Sequence, residues 1–171
     1  MIIGVSGKSQ AGKDTIGEYL VKEFGFHRLA SADVLKRIAR NIFGWDGVKD
    51  AKGRKLLQDL GCSIRAYNED YWIGLVLTEM QRQTALYGAK DFVVTDVRFK
   101  NEVALLKEKG AIILRVERDG VQKYEHVSET ELDDYDSFAA VLHNNSTVAD
   151  LESALKTIVD AVQTGIQESR S

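Results

Sequence analysis

The segment Ser6–Thr15, SGKSQAGKDT, constrains this chain more than any other. It follows the short apolar run Ile2-Ile3-Gly4-Val5 and precedes a stretch in which Ile16, Leu20 and Phe24 recur every fourth residue up to Gly25. That order is strand, glycine turn, helix, with Gly7, Gly12 and Lys13 spaced as G-x-x-x-x-G-K, the pattern of a phosphate-cradling P-loop. Glycines let the backbone curl around an anion with its N–H groups inward, Lys13 adds a mobile charge, and the helix adds its positive N-terminal end. A glycine turn without a ligand is the plain alternative, and the flanking strand and helix speak against it. Where Ser or Thr commonly follows the lysine, this chain has Asp14, with Thr15 one place later.

The 171 residues fit one domain, 1–171, with a real hydrophobic core. No run is long enough to span a membrane and no signal-peptide layout opens the chain, so a soluble, cytoplasmic protein is expected. One cysteine, Cys62, excludes an intramolecular disulfide and fits a reducing compartment. A net charge of −3 argues against broad nucleic-acid binding.

The rest of the chain alternates in the α/β manner. Short strands are predicted at Phe26–Leu29, at Phe92-Val93-Val94-Thr95-Asp96, at Ile112–Val116 and at Phe138–Leu142. Between them a helix capped by Ser31 carries Val34, Ile38 and Ile42 to Gly44, and Trp45–Lys52 reads as a loop. Leu56, Leu57, Leu60 and Ile64 suggest a helical stretch interrupted at Gly61, and a longer helix over Asp70–Tyr87 is closed by Gly88. Val103 and Leu106 mark a helix ended by Gly110. Thr147 with Asp150 forms a capping box for a last helix bearing Leu151, Leu155, Ile158, Val162 and Ile166, with a frayed tail from Gln167 to Ser171. Glu117–Asp136 is charged and aperiodic, which predicts an exposed, mobile segment.

The second chemical constellation is Thr95-Asp96-Val97-Arg98. A central strand ending in a carboxylate is where a P-loop protein holds Mg²⁺ or orients a substrate hydroxyl; a helix N-cap is the alternative for Asp96.

With these motifs in hand, the chain resembles the deoxynucleoside monophosphate kinases of tailed bacteriophages, a branch of the P-loop kinases. The resemblance is carried by GKSQAGKDT, SADVLKR, LGCSIRAYNEDYW, TDVRFKNE, HVSETELD and NNSTVADLESAL, and covers nearly the whole chain. Val34 and Lys100 stand where the family often has proline. The resemblance implies a P-loop kinase fold: a five-stranded parallel sheet in the order 2-3-1-4-5, flanked by helices, with a mobile lid at about 117–136. It also implies transfer of a phosphoryl group from ATP, with Mg²⁺, to a deoxynucleoside monophosphate. Small-molecule nucleotides are then the partners, with no nucleic acid or membrane, and a homodimer is possible; a phage-encoded enzyme works in the host cytoplasm.

Site roles follow from this resemblance together with the residue chemistry. ATP falls to Gly7, Ala11, Gly12, Lys13, Asp14, Thr15 and Arg115. Metal is assigned to Asp14, Thr15 and Asp96, since an acid beside a triphosphate needs a cation between them. Phosphoryl transfer relies on positioning and charge neutralisation, so Lys13, Asp14, Arg98 and Arg118 are the candidate catalytic groups, with Lys123 assisting. The acceptor falls to Arg37, Arg65, Asp96, Arg98 and Glu102, with Trp72 stacking on its base. A solvated face is the alternative for Arg37 and the better reading for Arg40. Surface ion pairing is the alternative for Arg115 and Arg118, and core packing is the alternative for Trp72. His126, Ser128 and Glu129 lie in a matched motif with no assigned role; His27 and His143 read as structural or solvated. Two further function classes remain open: a kinase acting on another phosphorylated metabolite, such as dephospho-coenzyme A, and a nucleotide-dependent switch ATPase.

Overall fold

The computed structural model of the protein describes residues 1–122 and 124–168, with side chains through 165. The expectations for Lys123, for the Ile166 side chain and for the frayed end at 169–171 fall outside the described residues.

Five strands, β1 (Ile2–Gly7), β2 (His27–Leu29), β3 (Phe92–Val97), β4 (Ile112–Glu117) and β5 (Ala140–His143), form one sheet in the order β2-β3-β1-β4-β5. β1 pairs in parallel with β3 and β4, and β4 with β5. The expected topology is therefore the observed one. All six residues of β3 are buried. That is why the strands read as unbroken apolar runs instead of alternating: helices cover both faces.

The helices are α1 (Lys13–Phe24), α2 (Ser31–Phe43), α3 (Ala51–Tyr67), α4 (Tyr71–Tyr87), α5 (Lys100–Glu108), the single turn α6 (Val127–Thr130) and α7 (Val148–Glu168). Ile16 and Leu20 of α1 and Leu151, Leu155 and Val159 of α7 share one core with Ile3, Val5, Val93, Leu114, Val116 and Leu142. α1 ends at Gly25, whose left-handed backbone lets its own N–H donate to the Val21 carbonyl and the Phe26 N–H donate to the Leu20 carbonyl. α7 begins on the expected capping box: Thr147 N donates to Asp150 Oδ2, and Asp150 N donates to Thr147 Oγ1.

The chain divides into two compact units, Met1–Arg28 with Asp91 onward, and Leu29–Lys90. The first holds nearly all of the sheet with α1, α5, α6 and α7. The second is helical: α2, α3 and α4 pack on one another.

Four local expectations change. Ser31 is the first helical residue of α2, and the N-cap is the buried Ala30, in extended backbone with no capping side chain; packing sets that entry point. Gly61 does not interrupt α3, which runs unbroken through it. A glycine costs a helix interior only about 1 kcal/mol, and the Trp72 Nε1 donates to the Gly61 carbonyl at 3.1 Å. β5 starts at Ala140 instead of Phe138, whose ring stacks edge-on against Tyr135, 4.7 Å between centroids.

The fourth concerns 117–136, which is only partly exposed. Its second half forms α6 and a turn that buries Leu132 to 3% exposure. Lys100 pairs with Asp134 at 2.8 Å, and Lys107 donates to Tyr135 Oη at 2.6 Å, fixing this strap to α5.

Candidate functional site

The turn between β1 and α1 has the geometry of an anion cradle. Gly7 has φ +155°, and a Cβ there would stand 2.5 Å from the Val116 carbonyl oxygen. Gly12 has φ +116°, and a Cβ there would stand 2.5 Å from Asn144 Nδ2. Between them Gln10 takes a left-handed conformation, φ 65°, and such changes of hand turn successive N–H groups toward one point. Gly12 caps α1 with no side chain, so the first-turn N–H groups of Lys13, Asp14 and Thr15 have no acceptor within the helix. They point where an anion would lie.

Lys13 is 9% exposed, and its Nζ donates to the carbonyls of Gly7 at 2.9 Å and Lys8 at 2.6 Å. Burial first, and the nearby Arg98 cation second, bring its pKa down to about 8, against the opposing pull of Glu129, Asp14 and Asp96. This coupling gathers Lys13, Asp14, Asp96 and Arg98 around one charge. The sheet explains why: Ser6 of β1 is in register with Val97 of β3, so the loop after β1 and the Asp96-Val97-Arg98 corner leave the sheet side by side.

Asp96 is 9% exposed and does not cap α5. The N-cap is Phe99, and Glu102 does the capping, its Oε2 accepting from the N–H groups of Arg98 at 2.8 Å and Phe99 at 3.1 Å. Glu102, expected on the acceptor, thus fixes the backbone from which Arg98 extends. Arg98 NH1 donates to the Ser128 carbonyl at 2.9 Å and pairs with Glu129 Oε1.

Sequence reasoning missed how many groups the strap and β5 bring to this loop. Glu129 Oε2 accepts from Ser9 N at 2.8 Å. Lys8 Nζ donates to the Glu129 carbonyl and to Asp133, each at 2.5 Å. Asn144 Nδ2 donates to the Ala11 carbonyl at 2.9 Å. Local periodicity carries no sign of partners more than a hundred residues apart; the motif match at HVSETELD and NNSTVADLESAL was the one available signal.

Arg115 is buried under this loop: NH2 donates to Asp133 Oδ1 at 3.2 Å, NH1 to Ser6 Oγ at 3.4 Å, and its Cζ lies 5.7 Å from the Phe138 ring centre. That is an internal pin from a buried guanidinium, and the ion pairing considered for it is present as well, its Nε lying 3.7 Å from Glu117 Oε1. Arg118, just past β4, is exposed.

The remaining expected residues lie in the helical unit. Arg37 is exposed on α2, and Arg65 on α3 is half-buried with NH1 donating to the Glu69 carbonyl at 2.8 Å. Trp72 is 5% exposed, edge-on to Tyr71, with its N–H on Gly61. In this conformation its ring has no open face for a base, so the packing alternative describes it. Arg40 lies 5.5 Å from the Trp45 ring centre, a local cation–π contact.

A cation would find oxygen donors here. Asp14, with its side chain 81% exposed, Thr15 and Asp96 offer carboxylate and hydroxyl oxygens, the hard ligands Mg²⁺ prefers. Among the described residues no cluster of three or more His, Cys, Asp or Glu side chains forms a cage. A Mg²⁺ site completed by substrate phosphates and water fits that donor set.

Comparison with known proteins agrees with this geometry. The deoxynucleotide monophosphate kinase family profile matches residues 45–155. A protein of Acanthamoeba polyphaga mimivirus, provisionally named a deoxynucleotide monophosphate kinase, is 29% identical, covering 94% of this chain and 96% of its own. Among solved structures, the dephospho-CoA kinase of Campylobacter jejuni superposes with a TM-score of 0.57 at 14% identity, over 96% of this chain and 98% of its own. The shikimate kinase of Acinetobacter baumannii gives 0.55 at 13% identity, over 96% and 93%. At such identities these two speak for the fold alone. Among the described residues no helix is long and apolar enough to cross a membrane.

Proposed function

Because the chain belongs to the deoxynucleotide monophosphate kinase family, we propose that it transfers the γ-phosphoryl group of ATP to a deoxynucleoside monophosphate, giving the diphosphate. The observation that carries this reading is the pairing of the cradle with its charges. Lys13 lies buried at the mouth of the P-loop with Arg98 in electrostatic reach, at the corner where β1 and β3 end together.

The loop N–H groups and Lys13 bind the β- and γ-phosphates. Arg98 neutralises charge on the moving phosphoryl group, where positioning and electrostatics supply most of the catalysis. Arg118 is exposed and free to join it. Asp96, Asp14 and Thr15 would hold Mg²⁺, which would supply charge neutralisation for the phosphates. Arg37 and Arg65 are assigned to the acceptor monophosphate; a guanidinium fork suits a phosphate's paired oxygens. Transfer is direct and in line, with the acceptor phosphate oxygen attacking and ADP leaving. Action in the cytoplasm, the host's where the gene is viral, and a homodimer accompany this reading.

The test is a coupled assay of ADP release with ATP, Mg²⁺ and each of dTMP, dGMP, dCMP and dAMP, with dephospho-coenzyme A and an acceptor-free mixture alongside. Turnover with one or more deoxynucleotides, lost on chelation and restored by Mg²⁺, is expected. Turnover confined to dephospho-coenzyme A, or equal ADP release without any acceptor, would sink it.

A further inference from the structure

We propose that Glu129 is a positioning residue for phosphoryl transfer: its single carboxylate ties the Arg98 guanidinium to the P-loop backbone at Ser9, holding the arginine beside the phosphate cradle. The inference rests on the kinase reading above and goes past it, because nothing in that reading gives Glu129 or its strap a part.

The geometry is specific. One carboxylate oxygen accepts from the Ser9 N–H at 2.8 Å, and the other pairs with Arg98 NH1. The same NH1 also meets the Ser128 carbonyl at 2.9 Å. The Glu129 side chain is 8% exposed, whereas Val127, Thr130 and Asp133 nearby in the strap are exposed. A carboxylate is buried this way only when its lone pairs are satisfied, and here both oxygens are.

The strap that carries it is itself anchored. Leu132 is buried, Lys8 clasps the Glu129 carbonyl and Asp133, and Lys100 holds Asp134. His126 caps the turn, its Nδ1 accepting from Ser128 N at 3.2 Å, and the Glu129 N–H donates to the His126 carbonyl at 2.8 Å. Glu129 therefore leaves a turn that these bonds hold.

Arg98 and Lys13 are both cations that repel each other beside one loop, and negative charge nearby offsets that repulsion; of the carboxylates acting on Lys13, Glu129 comes ahead of Asp14 and Asp96. Glu129 supplies that charge before any nucleotide arrives. It grips the loop at Ser9, on the lip, and leaves the first-turn N–H groups of α1 open to phosphate. Arg98 is thereby held by two acceptors from the strap and, through Glu102, by its own backbone. A guanidinium fixed at that corner meets the terminal phosphate that Lys13 also reaches.

The test uses the full chain and four proteins: wild type, Glu129→Gln, Arg98→Gln and the double variant. For each, affinities for ADP and for a non-hydrolysable ATP analogue are measured by calorimetry with Mg²⁺, together with kcat and KM on the best deoxynucleotide. The tighter binding of the triphosphate over the diphosphate should shrink about tenfold in Glu129→Gln, the loss of one charge-assisted hydrogen bond. kcat should fall at least as far while the KM for the acceptor changes little. The double variant should be no worse than Arg98→Gln, because Glu129 acts through Arg98.

Losses that multiply in the double variant overturn the proposal. So does an unchanged triphosphate preference, or one that rises in Glu129→Gln, which would make the carboxylate a competitor for the phosphate. Should Glu129→Gln not fold, Glu129→Asp carries the same comparison, its carboxylate kept but one methylene short of bridging. If wild type binds the analogue yet phosphorylates no deoxynucleotide, the acceptor reading fails while the binding cycle still decides the role of Glu129. If wild type binds neither nucleotide, the P-loop reading fails and Glu129 has nothing to position.

Discussion

Lys13 and Arg98 stand within electrostatic reach of each other, and the arginine is second only to burial in lowering the lysine's pKa to about 8. The folded protein keeps a charge that it would sooner lose. Phosphate is the partner that would reverse the balance, and that gives the first prediction a sign.

The folded-state pKa of Lys13 lies below its unfolded value of 10.5, so the charged form costs the ligand-free protein stability. The cost is complete below pH 8, shrinks between pH 8 and 10.5 where only the unfolded chain holds the proton, and is gone above. It amounts to about 3 kcal/mol, offset in part by the bonds to the Gly7 and Lys8 carbonyls, each about 1 kcal/mol. Lys13→Met should therefore abolish transfer while leaving the ligand-free protein at least as stable at pH 7, by roughly 1 kcal/mol. That advantage should narrow toward pH 10. Urea melts at pH 7 and pH 10 check it; a variant markedly less stable at pH 7 would contradict the assigned burial cost.

Gly12 and Asn144 form the second testable pair. Gly12→Ala places a methyl where Asn144 Nδ2 lies, in a backbone conformation that L-residues resist. Loss of about 2 kcal/mol and of ATP binding is expected, from strain plus the displaced bond to Ala11. Asn144→Ala alone should cost about 1 kcal/mol. Combining them should cost less than the sum, since the smaller side chain makes room for the new methyl. Strict additivity in chemical denaturation would show that the two residues do not meet.

Trp72 separates packing from recognition. Trp72→Ala removes a buried ring and its hydrogen bond to Gly61, so a stability loss of about 3 kcal/mol or more is expected. The acceptor KM of the folded enzyme should stay within about threefold, because a contact worth more than ~0.7 kcal/mol would have to touch the acceptor. A variant that melts normally but needs far more acceptor would restore the ring to the base.

Much of this architecture is written locally. β1, β3 and β4 stand out as short apolar runs because both faces of a parallel sheet are covered, and Gly25, Gly44 and Gly88 each end a helix in left-handed backbone. The Thr147–Asp150 box marks the start of α7 to the residue. What local reading cannot show is pairing at a distance. The charges of Glu117–Asp136 look like solvated surface, yet Glu129 and Asp133 find their cations at Lys8, Arg98 and Arg115, in other parts of the fold. Gly61 looks like a break because helix propensity is weak beside the neighbouring α4. Trp72 suggests stacking because an aromatic side chain alone does not reveal which way it is turned.

The Ala11 carbonyl fastened by Asn144, and the Ser9 amide fastened by Glu129, brace the nucleotide turn from both flanks through the protein's own bonds. Ordering entropy is thus settled during folding rather than at encounter. Capture of a triphosphate then becomes a matter of diffusion toward a ready-made basin, a rate that rising ionic strength slows.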